Sequence, residues 1–348
     1  MRRAQAAVRS QPSMNKTGVL AFLSIGLLSA AVIAPAAASA DPASESTGNE
    51  LSGKTVFLDP GHQGTGHSED LTRQVDDGRG GTKDCQTTGM TSLGGVPEHT
   101  INWNVSQLVK SSLESLGATV VTSRADDTGW GGCVDERAEA ATRSGADVAV
   151  SIHADSTSTG PDENKHGFHL IVPTLPIPDT AADAAQSAGG RQATSLMRDA
   201  YERAGFTPAN YAGVTDGVQE RSDVAGPALT GVPLVFVEMG NGSNPSDADT
   251  LETTDGQLKH AIALSTGIID YLLGPDTEVG PDENAAETDA ETVPSVPTVP
   301  SAADSTAGNS LSRLLSELAP YVDAGGGEAD VRAVADVAQG LLRQILTR

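Results

Sequence analysis

Three apolar stretches of this 348-residue chain end on a side chain able to bind a metal or carry a proton. "TVFLDPGH" closes on His62, "DVAVSIH" on His153 and "PLVFVE" on Glu238. A fourth such group, Glu98, opens the run "EHTINWNVSQLVKSSLESLG". Two histidines and a glutamate with one open position form a recognised ligand set for catalytic zinc. Such an ion brings the pKa of a water to about 7 and polarises a carbonyl, while a nearby carboxylate takes and returns a proton. The chemistry implied is hydrolysis of an amide, with His62, Glu98 and His153 as ligands and Glu238 as base. Singly, each residue has a plainer reading: a hydrogen-bonded histidine after a strand, an acid favoured by a helix dipole, a solvated carboxylate at a strand end. The coincidence of three strand ends argues for a site. His67, His99, His166 and His169 are competing histidines; His99 should point away from Glu98 on a helix, and His260 falls mid-helix, where a structural role is expected. Asp59 and Asp155 stand beside the proposed ligands, either as acceptors that orient the imidazoles or as turn formers.

The elements that must position these groups are legible in the apolar pattern. "KTVFL", "ATVVTSR", "ADVAVSIHAD", "HGFHLIVPT" and "VPLVFVEMG" read as strands. Helices are expected at "EHTINWNVSQLVKSSLESLG", "CVDERAEAATRSG", "RQATSLMRDAYERAG" and "TTDGQLKHAIALSTGIIDYLLG". In the first helix Ile101, Val105, Leu108, Val109, Leu113 and Leu116 keep helical spacing, and Gly117 suits the position just past its end. The alternation predicts an α/β fold: a twisted, mostly parallel sheet flanked by helices on both faces, in a single catalytic domain over residues 52–273. The near-continuous apolar strands fit burial on both sides. Ligands of such sheets bind beyond the carboxyl ends of the strands. His62, His153 and Glu238 should therefore share one edge, and Glu98 can join them because helices that follow strands start there. Gln63 to Val96 is rich in Gly, Thr and Asp and reads as a long loop or hairpin, a type of segment usually functional or mobile.

A net charge of −24, from 46 acidic and 22 basic residues, argues against nucleic acid, which requires clustered Lys and Arg. Aromatic residues are only 3%, so the core must rest on Val, Leu, Ile and Ala. Residues 1–40 read as a signal peptide, with a basic start at Met1 or Met14, an apolar centre from Val19 to Ile33, and Ala38-Ser39-Ala40 as cleavage site. An uncleaved anchor is the alternative, but the run is short of the roughly 20 residues a span needs. The expected location is secreted, periplasmic or cell wall, with no membrane span after cleavage. Cys85 and Cys133 in an exported chain favour one disulfide, with free buried thiols as the alternative. Residues 275–308 have the composition of a disordered linker. Residues 309–348 read as an amphipathic helical tail, expected to dock on its own domain or on a partner.

The stretches "VFLDPGHQG", "EHTINWNVSQLVKSSLESLGATVVTSR", "DERAEAATRSGADVAVSIHAD" and "GVPLVFVEMGNGSN" resemble the zinc-dependent N-acetylmuramoyl-L-alanine amidases of the exported, cell-wall-cleaving kind, over about residues 52–273. The resemblance implies that His62, Glu98 and His153 bind Zn2+ and that Glu238 is the catalytic carboxylate. It implies peptidoglycan or muropeptide fragments as substrate, cut between the lactyl group of N-acetylmuramic acid and L-alanine. In some relatives a segment near Gln63–Val96 blocks or shapes the groove. Arg221 is a candidate for binding an acidic diamino acid side chain, with a surface ion pair as its plainer role. The competing functions are a zinc peptidase cutting within the stem peptide and a non-catalytic cell-wall regulatory protein. A monomer is the default expectation.

Overall fold

A computed structural model describes residues 49–160 and 162–274. The expected signal peptide, linker and helical tail lie outside the described residues. In chain order the elements are β1 (Thr55–Pro60), β2 (Gln74–Asp76), β3 (Thr82–Asp84), α1 (Glu98–Ser115), β4 (Thr119–Thr122), α2 (Val134–Ser144), β5 (Val148–Asp155), β6 (His169–Pro173) and α3 (Thr180–Ala185). A π-helical segment, Gln186–Gly190, leads into α4 (Arg191–Arg203), followed by β7 (Val218–Arg221), α5 (Ala225–Leu229), β8 (Leu234–Asn241), α6 (Pro245–Glu252) and α7 (Thr254–Leu273).

Six strands form one sheet in the order β4-β1-β5-β8-β6-β7. β4, β1, β5 and β8 are parallel, as the alternation of strands and helices requires. β6 runs antiparallel to β8, and β7 follows β6 in parallel, so the last two strands are reversed. That reversal carries the start of β6, at His169, to the edge where β1, β5 and β8 end.

Side chains alternate across each strand, and the two faces are packed unequally. Val56, Leu58, Val150, Ile152, Val235 and Val237 face one side, where Ile101, Val105 and Leu113 of α1, Met197 and Tyr201 of α4, and Leu264 and Ile268 of α7 complete the main core. Phe57, Ala149 and Leu234 face the other side, against Ala141 of α2 and Ala146, in a much thinner layer. Short side chains on α2 and the brevity of α5 leave this second face incompletely filled, and a cavity of about 400 Å³ lies there.

The Gly-rich segment after β1 contains the antiparallel β2–β3 hairpin. Cys85, just past β3, is disulfide-bonded to Cys133, the residue that caps α2, across a separation of 48 residues. Val75, Trp130 and Val134 pack around the bond. Closing a loop of this length contributes about 4 kcal/mol in the chain-entropy model. Reduction, or the pair Cys85→Ser and Cys133→Ser, is expected to lower unfolding stability by roughly that amount; denaturant unfolding with and without reductant measures it.

His260 of α7 is buried without exposure, stacks on Phe206 at 4.2 Å between ring centroids, and has an Nδ1 without a partner. Burial pushes its pKa from 6.5 down to about 3, with the Lys259 charge adding to the effect. The unfolded chain therefore takes up a proton that the native protein refuses, and stability falls as pH drops from about 6.5 towards 3. His260→Phe is expected to reduce the pH dependence of stability between pH 6.5 and 4, leaving the part due to His169, which burial holds at about 4. Asp59, held at about 2, accounts for losses only at lower pH. Thermal unfolding of both proteins across this range checks it.

Candidate active site

The tight turn after β1 explains why a histidine follows Asp-Pro-Gly. Pro60 ends the strand, and His62 sits in the left-handed region at φ 58°, an uncommon conformation for a non-glycine residue. Gly61 permits the close approach this needs: a Cβ there would lie 2.2 Å from Cε1 of His153. Arg137 of α2 clamps the turn from behind. Its guanidinium is buried and donates to the carbonyls of Pro60 at 2.8 Å and His62 at 2.5 Å, and to Asp59 at 2.8 Å. Strain at His62 is thus held in place by hydrogen bonds from a neighbouring element.

His62, Glu98 and His153 converge. Each offers a ligand atom, and these atoms lie within 4.8 Å of one another. Glu98 stands between the two rings: Oε2 is 3.1 Å from His62 Nε2, and Oε1 is 3.1 Å from His153 Nδ1. The backbone and α1 fix the carboxylate. Oε2 accepts from the Met90 amide at 2.9 Å; Oε1 accepts from the Ala154 amide at 3.1 Å and from Asn102 at 3.2 Å. Asn102 is one turn along α1 from Glu98, the spacing at which side chains on a helix meet. Gly89, at φ 74°, lets the loop pass over the pair, where a Cβ would come within 2.7 Å of Glu98 Oε2. The His153 ring stacks on Phe236 at 4.5 Å.

This donor set suits a cation. His62 Nδ1 lies 3.0 Å from the Thr87 carbonyl, so it carries the proton there and leaves Nε2 with a lone pair. In the neutral ring that lone pair faces a carboxylate oxygen, and the two acceptors need a positive charge between them, either a metal ion or a proton on the imidazole, whose pKa is raised because burial is outweighed by the Glu98 carboxylate. Ligand atoms about 2.0–2.2 Å from one tetrahedral ion sit roughly 3.4 Å apart, close to both 3.1 Å separations. Burial opposes ionisation of Glu98, but the two histidines outweigh it and hold its pKa well below the usual range. The triad is a possible metal-binding site.

Glu238 lies on β8 in register with His153 of β5, and so on the same face of the sheet. It is half-buried, and its Oε2 is shut off from solvent without a hydrogen bond. Burial, then the charges of Glu98 and Asp155, push its pKa well above the ordinary carboxylate range, against the pull of Arg221. One carboxylate is driven acidic and the other basic, the usual division between a fixed charge and a proton carrier.

The other candidates separate. His99 pairs with Asp127 at 2.8 Å, away from the triad, and His67 lies against Trp130. Asp59 does not orient an imidazole; it is taken up by Arg137 and, at 2.8 Å, by the Ser151 hydroxyl. Asp155 turns the chain by accepting from the Ser156 amide at 2.7 Å. The orienting acceptor of His62 is the Thr87 carbonyl instead, which the sequence gives no way to single out. Arg221 ends β7, a strand not read from the sequence, and pairs with Asp223 at 2.5 Å. His169 begins β6 directly opposite Glu238, a placement that depends on the strand reversal. Lys83, Gln86 and Thr87 of the disulfide-tethered segment line the cavity beside His62 and His153.

An α/β sheet with a His-Glu-His cluster at the carboxyl ends of its strands, and a carboxylate with an unpartnered oxygen alongside, can hold a metal ion next to a proton acceptor. Residues 56–270 match the family model described as N-acetylmuramoyl-L-alanine amidase. An N-acetylmuramoyl-L-alanine amidase of Mycobacterium tuberculosis is 38% identical over 246 residues, covering 71% of this chain and 95% of that protein. Among solved structures, the apo N-acetylmuramyl-L-alanine amidase of Mycobacterium abscessus aligns with a TM-score of 0.59 and 41% identity, over 64% of this chain and 99% of its own. Its counterpart from Mycobacterium smegmatis aligns with a TM-score of 0.59 and 38% identity, over the same shares. The chain belongs to the N-acetylmuramoyl-L-alanine amidase family.

Proposed function

We propose that this protein hydrolyses the amide between the lactyl group of N-acetylmuramic acid and L-alanine of the peptidoglycan stem peptide, with His62, Glu98 and His153 holding Zn2+ and Glu238 as the catalytic carboxylate. The observation that carries the reading is the pairing of a cation-seeking triad with a half-buried, unpaired carboxylate on the next strand. When bound, zinc supplies Lewis acidity toward a water and the scissile carbonyl. The chain's own residues do the rest. The turn at Gly61 and the Arg137 clamp present His62; Asn102 and the Met90 and Ala154 amides hold Glu98 in the geometry that bridges both rings. Glu238 takes a proton on a carboxylate oxygen from the attacking water and returns it to the leaving nitrogen. Its raised pKa favours the protonated form needed for the second transfer, and a dication at the triad offsets part of that rise.

The catalytic domain spans residues 52–273, and the leader and composition of the flanking segments fit export, with action in the cell wall. No helix among the described residues is long and apolar enough to cross a membrane. Mass analysis of digested muropeptides tests the function. New amino-terminal L-alanine with an intact peptide supports the amidase; cuts within the stem peptide would favour a peptidase.

A further inference from the structure

We propose that His169 is a positioning residue for Glu238, its Nδ1–H donating to Glu238 Oε2 in the loaded site and leaving the other carboxylate oxygen to carry the reacting proton. The inference rests on Glu238 acting as the catalytic carboxylate. β6 and β8 are antiparallel with His169 opposite Glu238, and directly opposed residues project to the same face. Their Cβ atoms are then about 4.5–5.5 Å apart, within reach of one hydrogen bond between an imidazole and a longer glutamate side chain.

Each side chain has an unmet need that the other can fill. His169 is 1% exposed, and its Nδ1 is buried without a partner; Glu238 Oε2 is buried without a partner as well. Orphaned polar atoms of this kind are rare in native proteins and concentrate where function requires them. Two of them on facing residues, one a donor and one an acceptor, are complementary. The ring has little freedom to turn elsewhere, because Tyr211 meets it edge-on at 5.7 Å and 85°. Burial lowers the His169 pKa to about 4, against the Asp155 charge, so the ring is neutral and its single N–H can be committed to the carboxylate. A carboxylate fixed through one oxygen presents the other in a constant direction, which is where orientation contributes to rate.

The test uses the full-length, zinc-loaded protein and a defined N-acetylmuramoyl-L-alanyl peptide. Asn places an amide NH2 where His169 has Nδ1, whereas Gln places it where the ring has Nε2. His169→Asn is expected to keep kcat within about threefold, while His169→Gln and His169→Leu lower it about 30-fold with KM unchanged within about twofold. A purely structural role would make all three variants alike and follow their melting temperatures. Full kcat in His169→Leu, or a rise in KM with kcat kept, overturns the proposal, the latter by making the ring a substrate contact. A second reading is independent of turnover: with 15N-labelled histidine, the Nδ1 resonance of His169 should shift when Glu238 is replaced by Ala. An unchanged resonance overturns the pairing. A wild type that cleaves no lactyl amide would remove the proposed function, and the resonance would still decide the pairing.

Discussion

Glu238→Gln is expected to lower kcat on muropeptides by about 10³-fold while zinc content and fold are retained. The amide is nearly isosteric with the carboxyl group, so packing on β8 is undisturbed. What disappears is the carboxylate in register with His153 on the neighbouring strand, the group proposed to accept a proton from water and give it to the leaving nitrogen. The native carboxylate is raised by burial and by the charges of Glu98 and Asp155, so a neutral amide relieves repulsion instead of adding strain. The variant without metal should therefore be at least as stable as the wild type. Steady-state kinetics with zinc analysis and a melting curve make the test. Loss of zinc together with activity would show that Glu238 belongs to the metal's ligands and not beside them.

The second large effect is at Glu98. Glu98→Gln should reduce zinc affinity by more than the roughly 10–100-fold that loss of a ligand's hydrogen-bond partner costs, and activity should fall with it. The substitution removes the negative charge between two imidazoles and places an NH2 group where oxygens now accept from the Met90 amide, the Ala154 amide and Asn102. Either amide rotamer sets a donor against a donor. Asn102→Ala, which strips one hydrogen bond but keeps the carboxylate, should cost affinity only within that smaller range. Zinc titration of the three proteins ranks them. In the wild type, chelation should abolish hydrolysis and added zinc restore it, whereas magnesium should not, because imidazole ligands suit zinc better than a hard oxygen-seeking ion.

The triad is legible because each of its residues ends or begins an element with a strong apolar signature. β1, β5 and β8 are short apolar runs, and α1 keeps its core spacing from Ile101 to Leu113. A parallel α/β sheet then dictates which edge their ends share. The direction of β6 was not legible, since "HLIVP" is equally apolar read either way, and its reversal depends on pairing with β8 far along the chain. The sequence alone therefore presents His169 as one more competing histidine and not as the neighbour of Glu238. Backbone partners are illegible for a different reason: the Thr87 carbonyl and the Met90 amide reach the site through the path of a Gly-rich loop, which leaves no trace in residue type. Asn102 could have been found, four residues after Glu98 on a helix. The short α3, α5 and α6 carry too few turns for periodicity to register, although Asn244-Pro245 at the start of α6 is a cap that the sequence displays.

His62, Glu98 and His153 are proposed to share one zinc ion next to Glu238. Anomalous diffraction at the zinc edge from crystals of the zinc-loaded protein tests it most directly. A single peak about 2.0–2.2 Å from a nitrogen of each histidine and an oxygen of Glu98 is the expected result. A peak elsewhere, or none at full zinc loading, would contradict it.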